Sequence, residues 1–416
     1  MRGWLRDTAG GLPATYWFLW TGLLINRVGG FAVLFLSLYL TAQRGAEPAL
    51  AGLVVGTYGI GGVIGTLLGG VLTDRRGRRS TLLWSHFAGA AVLTGLALST
   101  DLAVIAGLCA LLGLVQSVPG PAFVAAIIDI VPASRRSRAF NLQFWAFNIG
   151  TAGASLVAGL LAQWSYRGLF LIDAASTLTA ALVIAWKVPE TLAKPVVAAG
   201  PRAGLGTVLR DRIFLVFAGL TLLQALLYTQ TSTIVPLAMA GDGLSPSGYG
   251  LVTALGGALI VVGQLFVPRL IDGHRKDRVL AVALVATGAG LGILAFADRL
   301  PVYLAAAVLW TVGSMLAAPP NAEINSELAP PAMRGRYQAV FFLTFPAAAF
   351  LAPALGGAGL QYFGDLHWVI VAAVGATAAA LHLAAGPARE RHVAERMEEM
   401  APAAADDAHP HRRRPH

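Results

Sequence analysis

Three ionisable side chains stand inside otherwise apolar stretches: Arg27 in LLINRVGGF, Asp173 in LFLIDAAS and Glu323 in NAEINSEL. Holding a charge away from water costs free energy, so such a group is a candidate for pairing, ligand contact or proton carriage. Glu323 precedes Glu327 by one helical turn and lies beside Asn321 and Asn325, a setting in which desolvation would suit it to carry a proton. Asp173 reads as a structural group or a coupling group. Arg27 reads as a ligand or coupling contact, or as the internal partner of Asp173. A second constellation, GGVLTDRRGRRSTL (Gly69 to Leu82), crowds four arginines and an aspartate between two apolar runs. The sequence carries no motif for catalysis. The histidines and Cys109 have no zinc spacing, and Lys187, Lys194 and Lys276 lack the preceding glycine of a P-loop. No metal, no cofactor and no enzyme activity are expected.

The elements that position these residues follow from composition. The chain has 416 residues, 56% hydrophobic and 12% charged, with a mean hydropathy of +0.68, against roughly 45–50% apolar residues in soluble domains. About 20 apolar residues cross a bilayer core as a helix. The spacing predicts spans at Thr15–Thr41, Leu50–Leu72, Ser80–Leu98, Leu102–Val131, Ala139–Ala162, Gly168–Val188, Ile213–Met239, Tyr249–Ile271, Val279–Ala297, Pro301–Leu328, Tyr337–Leu360 and Trp368–Leu383. The expected fold class is an all-α membrane protein with about twelve transmembrane helices. Met1 to Leu12 has no apolar core followed by a cleavage site, so the first span is kept. Arg27 then sits roughly 18 Å along that span from Thr15.

A net charge of +9 would point to nucleic acid in a soluble chain, but its distribution argues otherwise. Eighteen lysines and arginines fall in the connections on one side of the spans, and only Arg44, Arg167 and Arg299 on the other. Basic residues near span ends resist translocation, so the arginine-rich connections and both termini are expected in the cytoplasm. The partner expected from this pattern is the lipid bilayer, with no nucleic acid, and the chain is expected to be a monomer.

The sequence also matches itself at a constant offset of 198 residues. Asp74 falls on Asp272, Gly52 on Gly250, Pro121 on Pro319, Asp129 on Glu327 and Arg136 on Arg334. Such a duplication predicts two six-helix bundles, 1–188 and 213–385, joined by a cytoplasmic linker over 189–212 and followed by a disordered tail over 386–416 that ends in HPHRRRPH.

Over its whole length the chain resembles the major facilitator superfamily. Gly70, Leu72, Asp74, Arg75, Gly77, Arg78, Arg79 and Leu82 match the family pattern G-x-L-x-D-R-x-G-R-K/R-x-x-L between the second and third helices. The resemblance implies a conformational latch: the aspartate caps a helix end of the opposite half, and an arginine pairs with an acid at the inner end of the fourth helix, here Asp129. Asp272, Lys276 and Glu327 form a weaker copy, with Arg275 where glycine is expected. The bacterial drug/proton antiporter branch is similar, which implies a secondary active transporter exporting a small organic molecule by alternating access, coupled to protons. An uptake symporter is the alternative, and a non-transporting sensor a third reading. Members of that branch that expel lipophilic cations keep an acid in the first helix. This chain has Arg27 there, which favours a neutral, zwitterionic or anionic substrate. The fifth span departs from the antiporter signature, reading ASLVAG over 154–159, whereas the eleventh carries APALGG over 352–357.

Gly61, Gly65 and Gly69 share one helical face, read either as a sliding seam between the halves or as a static contact. Asn26, Gln116, Trp145, Asn148, Gln224, Tyr228, Gln264, Trp310 and Asn321 are further polar or aromatic candidates for the cavity, each also explicable as packing or helix-to-helix hydrogen bonding.

Overall fold

The structure, a computed structural model, describes residues 11–191, 206–330 and 333–407. Twelve helical spans are long and apolar enough to cross a membrane: Ala14–Arg44, Pro48–Arg76, Arg78–Leu98, Leu102–Ile130, Arg138–Leu161, Tyr166–Lys187, Arg212–Thr233, Pro246–Gly263, Lys276–Phe296, Leu300–Leu328, Arg334–Phe363 and Leu366–Glu395. Side-chain caps start several of them. Asp101 accepts from Val104 N, Ser165 from Gly168 N, Asp211 from Phe214 N and Ser245 from Gly248 N, each satisfying one of the donors that a helix start leaves open.

Four spans are broken or shortened, and each interruption has a chemical cause. The fourth breaks at Val118 before Pro119, the seventh at Ile234 before Pro236, and the eighth ends at Gly263 ahead of a short helix beginning Val267–Pro268; proline cannot donate to the preceding turn. The first span divides into α1 (Ala14–Val28) and α2 (Ala32–Arg44). Its break falls at Gly29–Gly30, where the sixth span approaches so closely that a Cβ on Gly29 would stand 1.9 Å from Ser176 Oγ.

Spans one to six pack among themselves, with the second against the fourth, the third against the sixth and the first against the fifth. Spans seven to twelve repeat that scheme, with the eighth against the tenth, the ninth against the twelfth and the seventh against the eleventh. Between the two groups the second span packs on the eleventh and the fifth on the eighth.

These inter-group contacts lie towards the end remote from the arginine-rich loops. A Cβ on Gly52 would stand 2.0 Å from Pro353 O, one on Gly59 2.2 Å from Phe350 N, and one on Gly250 2.6 Å from Ser155 O. At the same end Gln361 accepts from Ala49 N (2.9 Å) and donates to Glu47 (2.8 Å), and the rings of Phe35 and Tyr249 meet edge to face at 5.4 Å. One apolar core there includes residues of both groups, among them Phe35, Val54, Ala158, Tyr249 and Val252. Towards the arginine-rich end the core divides in two. One part holds Tyr16, Leu82, Phe123 and Ile184, the other Phe214, Leu280, Ile324 and Tyr337.

One open alternative is decided and one expectation is corrected. Of the two readings of Gly61, Gly65 and Gly69, the seam between the groups is not the one found. Their Cβ positions would meet Ala110 O, Leu114 O and Val118 O of the fourth-span region at 1.7, 2.3 and 2.5 Å, a contact within one bundle. The tail expected to be disordered from 386 is helical to Asp407. The residues after Pro387 include strong helix formers, and Arg389 is buried on His382 while Glu390 reaches Arg275 at 3.4 Å. The HPHRRRPH segment and residues 192–205 of the linker lie outside the described residues.

Candidate functional site

The break in the first span builds the site. Phe31 N and Ala32 N, opened at the start of α2, donate to Asp173 Oδ2 at 3.1 and 3.0 Å, and Thr177 Oγ1 lies 3.4 Å from Asp173 Oδ1. Asp173, 2% exposed, therefore caps a helix that begins inside the bundle, where the positive end of the peptide dipoles favours its carboxylate.

Arg27, in the last turn of α1, faces the same space. Among the described residues it makes no ion pair with Asp173 or any other acid, and its buried Nε has no hydrogen-bond partner. The guanidinium carbon instead lies 3.8 Å from the centroid of the Phe147 ring. Gly150 makes room for it, since a Cβ there would stand 2.6 Å from Arg27 Cβ.

Both residues line a cavity of about 430 Å3 together with Asn26, Tyr58, His86, Gln116, Gln143, Phe123, Phe147 and Thr177. Asn26 Nδ2 donates to Thr177 Oγ1 at 3.0 Å, and Tyr58 OH to Gln116 Oε1 at 3.0 Å. His86 Nδ1 lies 2.7 Å from Leu82 O, a carbonyl that can only accept, so Nδ1 carries a proton.

Tyr58, His86 and Gln143 escaped the sequence reading. His86 carried the same signal as Arg27, an ionisable group within an apolar span, and Tyr58 and Gln143 carried the weaker one that marked Tyr228 and Gln116, a polar group within a span.

The remaining candidates lie elsewhere. Asn148 Nδ2 donates to Phe144 O of its own helix, and Asn321 pairs with Gln224 at 2.7 Å between the tenth and seventh spans. Tyr228 is exposed and Trp310 is core. Glu323 is not a buried acid. Its side chain is 57% exposed and lies 3.2 Å from Lys276 Nζ, which also bonds Glu327. The tenth span turns this face outwards, and Lys276 at the start of the ninth supplies the counter-charge.

In the loop motif, Arg78 Nε meets Asp129 Oδ2 at 2.9 Å, and Arg79 Nη2 donates to Ala185 O at 2.6 Å. Gly77 takes φ +100°, a conformation suited to glycine, and the third span begins immediately after it. Glu190, unremarked in the sequence, accepts from Arg78 N, Arg79 N and Ser80 N at 2.8, 3.3 and 3.1 Å. Around Gly70 there is open space. Among the described residues the side chains of Asp74, Arg75 and Asp272 make no hydrogen bond or ion pair, so the expected cap on a helix of the opposite group is not made in this conformation. In the second copy, Arg275 grips the buried Asp277 at 2.9 Å.

Twelve spans in two repeated packing schemes, broken helices and a cavity inside one bundle are the architecture of a membrane transporter. The chain matches the Major Facilitator Superfamily over residues 19–234 and 217–405 and belongs to that family. It is 28% identical over 350 residues to the uncharacterised MFS-type transporter YhjO of Bacillus subtilis, covering 82% of this chain and 85% of that one. It is 26% identical to the multidrug resistance protein MdtH of Aeromonas salmonicida, covering 87% and 92% of the two chains. To the Na(+), Li(+), K(+)/H(+) antiporter of Planococcus maritimus it is also 26% identical, over 77% and 83%. The crystal structure of a mutant of the nucleoside transporter NupG superposes with a TM-score of 0.76 over 88% of this chain and 99% of that one; at 14% identity this concerns the fold alone.

Proposed function

We propose that this protein exports a small organic molecule across the cytoplasmic membrane in exchange for protons, with Asp173 as the group that carries the proton. The observation that carries the reading is the carboxyl of Asp173, buried in a polar cavity and bonded to the backbone of a broken span. A proton there alters the cap on α2, and α2 bears Phe35, which touches the other half. The titratable and charged groups facing Asp173 are Arg27 from the first span, Tyr58 from the second and His86 from the third; the fifth offers Gln143 and Thr151. Relatives named for multidrug resistance and for cation/proton antiport support export and coupling.

The arginine-rich loops belong in the cytoplasm by the positive-inside rule. Since the halves share a core only at the other end, the conformation described is the inward-facing one. Glu323 belongs to the cytoplasmic mouth with Lys276 and Glu327, and the latch is the set Gly70, Asp74, Arg75, Gly77, Arg78, Arg79 and Asp129 with its copy Asp272, Lys276 and Glu327.

Uptake with a proton is the second reading, favoured by Arg27: an anion bound there and a proton on Asp173 would attract each other. Proteoliposomes holding a pH-sensitive dye, under an imposed gradient and a panel of compounds, test coupling. Substrate-dependent proton movement is expected to fall at least about tenfold in Asp173→Asn and to persist in Glu323→Gln. The reverse pattern would return the proton to Glu323. Direction follows from whole cells, where export lowers substrate accumulation relative to a strain lacking the protein, and uptake raises it.

A further inference from the structure

We infer that the cavity binds an organic anion whose carboxylate is held by Arg27 and whose aromatic body lies among Phe147, Phe123 and the apolar wall of the first span. The inference rests on the transport reading for its purpose but on separate observations for its chemistry.

Among the described residues Arg27 makes no ion pair, although Asp173 lines the same cavity. Asp173, the acid of the cavity, spends one carboxylate oxygen on Phe31 N and Ala32 N and directs the other to Thr177. The guanidinium face rests on Phe147 at 3.8 Å from the ring centroid, which holds the group in place and leaves its N–H edge for a ligand. A guanidinium edge matches a carboxylate with two parallel hydrogen bonds. A permanently cationic guest would meet that charge at close range, and a neutral carbonyl offers one oxygen and no charge where a carboxylate offers two oxygens and a charge. The other groups suit the same occupant: Gln143 and Asn26 can position polar substituents, and Phe123 and Val33 line the wall. A cavity of about 430 Å3 admits one or two fused rings.

The test measures binding without flux. The full-length protein, purified in detergent, is titrated calorimetrically with benzoate, 2-naphthoate and indole-3-acetate, and with the primary amide of each, which has nearly the same shape and no charge. At least one acid is expected to bind ten or more times tighter than its amide. Arg27→Gln should bring that ratio to about one, while Arg27→Lys, which keeps the charge and loses the paired donors, should retain part of it. Size-exclusion profiles and thermal unfolding check that the variants fold. The proposal is overturned if no acid binds more tightly than its amide, or if Arg27→Gln keeps the preference. Acid preference in a protein that moves nothing in the proteoliposome assay would leave the anion site standing and remove the transport reading. Flux of neutral compounds without acid preference would do the opposite.

Discussion

Asp173 answers two needs with one carboxylate. Its oxygen accepts from Phe31 N, which also reaches Gly29 O, and from Ala32 N, which has no other acceptor among the described residues, and an unmet buried donor costs roughly 1–3 kcal/mol. Asp173→Ala is therefore expected to lower the thermal unfolding temperature of the detergent-purified protein by several degrees. Asp173→Asn, which can still accept through its amide oxygen, should lower it less. An alanine variant as stable as the parent would show that α2 does not depend on this cap. A stability ranking of this kind is separable from coupling, in which the asparagine variant is as defective as the alanine one because neither titrates.

At the scale of helices, glycine does two different jobs within the same span. Gly61 lies against the fourth span inside its own bundle, whereas Gly52 lies against the eleventh across the junction of the halves. Overpacking costs typically 1–3 kcal/mol, but it falls on different equilibria. Gly61→Val should damage folding itself, seen as loss of the monodisperse size-exclusion peak. Gly52→Val should fold and yet open the end remote from the arginine loops, where spin labels beside Glu47 and Gln361 would move apart. If both variants aggregated, or both folded with unchanged label distances, the division of labour between the two faces would be wrong. The spacing of glycines in the sequence marked the second span as a close-packing helix but could not name its partner, because every face of that span carries small residues.

On the transport reading proposed above, the whole molecule is an equilibrium between packings of the same two bundles. In the conformation described, the contacts that hold the halves together gather at one end, and Asp74 at the other makes no hydrogen bond or ion pair among the described residues. If Asp74 caps a helix only in the alternate state, its charge stabilises that state alone, by roughly 0.3–1 kcal/mol. Asp74→Asn should then shift the population about two- to fivefold towards the present conformation, read as a longer mean spin-label distance across the arginine-rich mouth. An unchanged or shortened distance would remove Asp74 from the latch.

Sequence alone determined the number of the spans, the internal offset of 198 residues and the place of the loop motif, and it set the expectation for the orientation of the spans. Each of these rests on local quantities, namely hydropathy over about twenty residues, basic residues at span ends and spacing along the chain. It also marked Arg27 and Asp173, because a charge in an apolar run is conspicuous wherever it points. Tertiary structure alone decided that these two share a cavity without pairing, since that depends on a helix break whose free donors claim the carboxylate. Likewise it turned Glu323 to Lys276, set Glu190 at the start of the third span, and extended the last helix on Arg389 and Glu390. Hydropathy records how much of a residue's surroundings are apolar, whereas contacts between distant helices depend on facing and crossing, which a linear pattern leaves open.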